Sequence, residues 1–213
     1  AGNYRLTQQM LSADITAISL EITAGSDSKI YDSTALTNSG SSLTNGTALV
    51  AGHTYTATVT GTQTNAGTSV NVASAAVILD GATDVTANYA ITYVDGALEV
   101  TQAALTITAD DQTKVIGAID PAFKVTYSGF VPGEDESVLA GVLRFDREAG
   151  EDVGIYSITP SGLTSDNYTI TYLNGVLTIA NNDLEGLDIT VTAIESLEYT
   201  GLPVEPTLEL LHD

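Results

Sequence analysis

NYAITYVDGALEV, residues 88–100, returns as NYTITYLNGVLTI at residues 167–179. The two stretches agree at Asn88/Asn167, Tyr89/Tyr168, Ile91/Ile170, Thr92/Thr171, Tyr93/Tyr172, Gly96/Gly175 and Leu98/Leu177. Identity this dense marks an internal repeat with a period of about 80 residues. A blurred third version, NYRLTQQMLSADI, occupies residues 3–15. Within the phrase, Tyr89, Ile91 and Tyr93 alternate onto one face of a strand, and Leu98 and Val100 resume the alternation. Between them lies Asp95-Gly96, a dipeptide suited to the positive-φ turn of an antiparallel hairpin, matched by Asn174-Gly175. The phrase reads as the closing hairpin of a module, with Asp95, Gly96, Asn174 and Gly175 as its structural turns.

Module boundaries follow. Residues 1–17 read as the end of a preceding repeat, its terminal strand; 18–101 as one β module; 102–180 as a second; and 181–213 as the start of a following repeat. Both ends look cut, which fits a piece of a longer tandem chain. ISLEIT (18–23), TYTATVT (54–60), FKVTYSGF (123–130) and IYSIT (155–159) alternate apolar and polar residues as half-buried strands do. PGEDESVLAG (132–141) is the one candidate helix, with Glu134, Asp135 and Glu136 at its positive end, while TNSGSSLTNGT (37–47) reads as loop. The predicted class is all-β: tandem small antiparallel β-sandwich-like modules, with a β-grasp arrangement as the alternative for the second, where a helix could pack on a sheet.

The composition narrows the functions. Twenty-seven acidic residues face six basic ones, a net charge of -21, yet 43% of residues are apolar, so the chain is acidic and still able to fold. Phosphate backbones need clustered Lys and Arg, and only Arg144 and Arg147 lie close together, which argues against nucleic acid. No apolar run reaches the length of a membrane span, so no membrane insertion is expected of this segment. Cysteine is absent, which excludes disulfides and thiolate metal sites.

Several stretches, taken together, resemble a known family. AGNYRLTQQMLSADITA (1–17), SKIYDSTAL (28–36), KVIGAIDPAFKVTYSGFVPGEDESVLAGVL (114–143) and AGEDVGIYSITPSGLTSDNYTITYLNGVLTI (149–179) are similar to the YDG and MBG (YGX-type) tandem repeats of large bacterial surface adhesins of the filamentous haemagglutinin kind. The Tyr-Asp-Gly signature falls on Tyr31 and Asp32, with Ser33 replacing glycine. In the second module the Tyr-Gly-x position is Ile116-Gly117-Ala118, so the aromatic is lost while Asp120-Pro121 is kept; Tyr199-Thr200-Gly201 repeats the theme near the end. The resemblance implies a secreted or cell-surface location and a spacer or adhesive role, and it supplies no catalytic residues.

The residues themselves offer little chemistry. Only His53 and His212 could serve a Ser-His-Asp triad, and His53 sits at an ordinary strand start. No catalytic or cofactor-binding residue is assigned, and the reading is not an enzyme. Calcium is the one metal worth weighing: Asp110, Asp111, Asp183, Glu185 and Asp188 lie near module junctions, but no regular Asp-x-Asp-x-Asp-Gly loop appears, and solvated surface charge is the plainer reading. Lys29 and Lys114 occupy equivalent places and raise a Lys-Asn crosslink, against the plainer reading of strand-end lysines guarding an edge. Residues 3–16 could add as a strand to a neighbouring sheet.

Three functions stay open on the sequence. A structural spacer whose partners are neighbouring modules of the same chain or filament leads. A ligand-binding adhesin module for a glycan or host protein, or a strand-exchanging filament subunit, is the alternative; an enzyme is the third.

Overall fold

The computed structural model describes residues 14–181. Expectations placed on residues 1–13 and 182–213, including the strand-adding segment, the opening of a following repeat, Asp183, Glu185, Asp188 and the Tyr199 signature, lie outside the described residues.

Alternating β-branched and aromatic residues with Thr and Ser build two sets of strands. The first comprises β1 (Ile18–Ala24), β2 (Asp27–Ile30), β3 (Ser41–Leu43), β4 (His53–Thr60), β5 (Gly67–Asp80), β6 (Thr83–Asp84), β7 (Tyr89–Val94) and β8 (Gly96–Thr101). The second comprises β9 (Ala103–Ala109), β10 (Gln112–Val115), β11 (Val125–Ser128), β12 (Ala140–Arg147), β13 (Gly154–Thr164), β14 (Tyr168–Leu173) and β15 (Gly175–Ala180). The first set forms sheets β3-β1-β7 and β2-β8-β5-β4, with the short β6 beside β5; the second forms β11-β9-β14 and β10-β15-β13-β12. Strand for strand, β1, β2, β3, β4, β5, β7 and β8 correspond to β9 through β15. The protein is all-β, and the two units share one topology.

The repeated phrase is not a hairpin. β7 pairs with β1 in one sheet, and β8 pairs with β2 and β5 in the other, so the chain crosses between sheets at Asp95-Gly96; β14 and β15 do the same at Asn174-Gly175. Neither Gly96 nor Gly175 is among the glycines with positive φ. Their glycine has another cause. β1 runs parallel to β7 and β2 parallel to β8, so two chain segments cross from sheet to sheet side by side. At the crossing a Cβ on Gly96 would collide with the carbonyl oxygens of Ala24 and Gly25, and one on Gly175 with that of Ala109. The dipeptide has the local preference of a turn, whereas close backbone approach is what requires the missing side chain.

Four further expectations are corrected. The sheets are mixed, each holding one parallel pair, because paired crossing strands must run the same way. The helix expected over 132–141 is one 3-10 turn, Glu136–Val138, with no buried residue, because the chain enters β12 by Ala140. In the second unit no helix packs on a sheet, so the β-grasp alternative does not describe it. The stretch 37–47 contains β3, whose Ser41, Ser42 and Leu43 pair antiparallel with Ala24, Thr23 and Ile22.

The two sheets of each unit enclose apolar clusters. Leu20, Ile22 and Tyr89 of the first sheet meet Ala73, Ala76 and Ile78 of the second. Ala109, Ile158, Leu177 and Ile179 form a smaller cluster within the second unit, at positions equivalent to Ala24, Asn71, Leu98 and Val100 of the first. A third cluster belongs to neither unit alone. Tyr31, Leu36, Leu98 and Val100 of the first pack with Ala103, Leu105, Ile107 and Tyr168 of the second. Each unit thus has a leading end, where its first strand begins, and a trailing end, where its last strand finishes.

Candidate functional site

The junction between the units brings together aromatic, acidic and amide side chains from both. β8 ends at Thr101 and β9 begins at Ala103, so Gln102 alone links them. Its side chain is held at both ends by the second unit: Nε2 donates to the Asp166 carbonyl at 2.9 Å, and Oε1 accepts from Thr169 Oγ1 at 2.9 Å. A linker of one residue, so anchored, leaves no slack.

Tyr31 carries the junction from the first unit. Its N–H donates to the Thr101 carbonyl at 2.8 Å, which fixes it beside the end of β8. Its ring meets Tyr168 edge to face, centroids 5.6 Å apart and planes at 81°, a favoured aromatic geometry. Phe130 packs on the same tyrosine in the same manner, at 5.5 Å. The Tyr31 hydroxyl donates to Glu134 Oε1 at 2.5 Å and the Tyr168 hydroxyl to Glu134 Oε2 at 2.6 Å, so one carboxylate ties together phenols from both units. That bond to Glu134, with burial, pushes the Tyr31 phenol up to about 12; burial first and then Glu134 raise Tyr168. Val131 N–H donates to Tyr168 Oη at 3.0 Å. On the flank, Asn167 Oδ1 accepts the Ala66 N–H at 2.9 Å and its Nδ2 donates to Asn65 Oδ1 at 3.3 Å, again across the junction.

The other signature positions are local. Asp32 accepts from Lys29 Nζ at 2.5 Å and from the Thr34 N–H and hydroxyl, and the lysine leads in holding its carboxyl down at about 2. Ser33 has φ 64°, a left-handed conformation glycine would hold with less strain. Gly117 has φ 80° with open space around it, a turn glycine. Asp120 pairs with Lys114 at 2.7 Å and with Arg147 at 3.3 Å, while half-buried Pro121 follows it into the loop before β11. Lys114, buried beneath this network, also meets Glu151 at 2.5 Å, and the two carboxylates raise its pKa, Asp120 foremost. Both lysines therefore face carboxylates, and among the described residues no amide side chain is a partner of either.

Asp110 and Asp111 are spent on hydrogen bonds. Asp110 Oδ1 accepts from Thr126 Oγ1 at 2.8 Å and Asp111 Oδ1 from the Val176 N–H at 2.8 Å. Among the described residues no group of three His, Asp or Glu side chains is placed to hold a metal ion. His53 Nδ1 lies 2.7 Å from the Tyr89 hydroxyl, and its Nε2 stands 4.0 Å from Asp80.

Sequence reasoning marked Tyr31 and missed its partners. On the sequence alone Glu134 reads as helix-dipole charge and Asn167 as part of the repeated phrase. The usable signal was the invariance of Asn-Tyr in the repeat, since an Asn entering a strand is poorly suited to it unless its side chain has work.

Residues 105–178 match the family described as MBG domain (YGX type). No curated protein matches the chain. Among the described residues no helix is long and apolar enough to cross a membrane.

Proposed function

Taking residues 105–178 as an MBG domain of the YGX type, we propose that this chain is a stretch of rigid, non-catalytic spacer in a secreted bacterial surface protein, which holds other parts of that protein away from the cell. The observation that carries the reading is the apolar cluster shared across a one-residue linker. Relative motion of the units would have to open that cluster, separate Tyr31 from Tyr168 and strip Glu134 of the Tyr31 hydroxyl. Apolar burial of this kind contributes roughly 25 cal/mol per Å², so bending is opposed by more than chain stiffness. The net charge of -21 suits an exposed, extended chain that must not aggregate. Resemblance to adhesin repeats supports the extracellular location.

The test is the distance between spin labels on exposed Thr83 and Ser137, one in each unit. A narrow distribution is expected. Insertion of a Gly-Ser tetrapeptide after Gln102 should broaden it; a distribution already broad in the parent chain would refute the spacer reading.

The second reading, an adhesin module that binds a glycan or host protein, is favoured by an open cleft at the same junction, lined by Ala66, Gly67, Thr68, Glu99, Gln102 and Asp166. Saturable binding in a glycan and host-protein screen, abolished by Asp166→Lys, would establish it.

A further inference from the structure

Asn88 stands in the first unit where Asn167 stands in the second. Each directly precedes the buried tyrosine that pairs with the start of its unit's first strand, Tyr89 with Ile18 and Tyr168 with Ala103. The Asn167 side chain bonds only across the junction, to Asn65 and Ala66. Asn88 keeps the same side chain, yet it is exposed and has no side-chain hydrogen bond to any described residue. Within its own unit it has no task.

Its surroundings repeat the docked end. Val50 N–H donates to the Tyr89 hydroxyl at 3.1 Å as Val131 N–H does to Tyr168. Three residues on, His53 closes the same turn as Glu134, the two N–H groups donating to the Val50 and Val131 carbonyls. His53 thus occupies the place where Glu134 receives the Tyr31 hydroxyl. Ile18 is 41% exposed, whereas Ala103, its counterpart beneath the first unit, is 7% exposed. Among the described residues nothing hydrogen-bonds this asparagine's side chain or shields Ile18 as the first unit shields Ala103, so an apolar edge, a buried tyrosine and an idle asparagine stand together.

We propose that the leading end of the first unit is a docking face for the trailing end of another unit of this same fold. Asn88 accepts the backbone N–H of the loop equivalent to Asn65-Ala66, and an aromatic at the Tyr31 position settles against Tyr89 and His53. The partner is defined by the junction already present: a trailing end offering an aromatic, a small apolar cluster like Leu36, Leu98 and Val100, and a free loop N–H. The trailing end of the second unit fits less well, because Ile116 replaces the aromatic and Lys114 with Arg147 sets charge nearby. This inference rests on the spacer reading and says where the spacer continues.

The test compares the present chain with a lengthened one in which a further copy of residues 18–102 directly precedes Ile18. In the present chain Asn88→Ala should leave the melting temperature unchanged. In the lengthened chain it should lower it by roughly 2–4 °C, the effect of about one buried hydrogen bond in a protein of this size. An Asn88→Ala variant silent in both chains overturns the proposal, as does one equally damaging in both. Should the lengthened chain not fold, Asn167→Ala in the present chain decides: it must lower the melting temperature by a similar amount, and silence there shows that asparagine at this position holds no junction. Failure of the spacer reading would show separately, as a broad Thr83–Ser137 distance in the parent chain.

Discussion

Gly96 and Gly175 do their work by what they lack. Carbonyl oxygens of the neighbouring crossing segment lie where a Cβ would stand, so Gly96→Ala or Gly175→Ala is expected to destabilise by about 1–3 kcal/mol or more, as overpacking against backbone does. A hairpin turn would have tolerated asparagine at the same places; Gly96→Asn should instead be worse than alanine, as urea titration can show. The buried Asn71 serves the same crossing, its Nδ2 donating to the Gly25 and Asn38 carbonyls at 2.8 and 2.7 Å. The second tyrosine of the phrase has an equally local task. At Ala75 and Gly162, both with positive φ, the pairings of β4 with β5 and of β12 with β13 shift register, and the following N–H, of Ala76 or Leu163, donates to Tyr93 or Tyr172 Oη at 2.8 and 2.7 Å. Tyr172→Phe strands that N–H and should cost about 1 kcal/mol, measurable by the same titration.

Between elements, the decisive contact is that of Tyr31, just beyond β2, with Glu134 and Tyr168. The pH dependence follows from the raised phenol. Unfolded, Tyr31 titrates at its ordinary 10.0; folded, the bond to Glu134 and burial hold its proton to about 12. The native state keeps a proton that the unfolded chain has lost, so this contribution is complete below pH 10 and disappears as pH rises from 10 toward 12. Thermal melts across that window should show a falling stability limb that is shallower in Tyr31→Phe. At the acid end, Asp32 is held down at about 2 by Lys29, so the stability it brings is present above its ordinary 3.8 and lost as pH falls toward 2.

For the molecule as a whole, a cluster shared across the junction couples the two units. Thermal unfolding is expected as one calorimetric transition. The Gly-Ser insertion after Gln102 should split it into two, since each unit of about 80 residues is then left with a small core; two transitions already present in the parent chain would show that the shared cluster does not couple them.

The repeat, the all-β class and most strand positions were legible in the sequence, because alternation along a strand is a local property and identity at fixed spacing survives any fold. ISLEIT, TYTATVT and IYSIT needed only their own side chains to be read as strands. Where each strand went was decided by tertiary structure. Asp95-Gly96 has the local preference of a turn, but β7 pairs with β1, and β8 with β2 as well as β5, with β1 and β2 lying about 70 residues earlier. Glu134 likewise shows its purpose only once Tyr31 of the preceding unit stands beside it. Pairing between distant segments and close approach of backbones depend on the whole chain, and no short stretch encodes them.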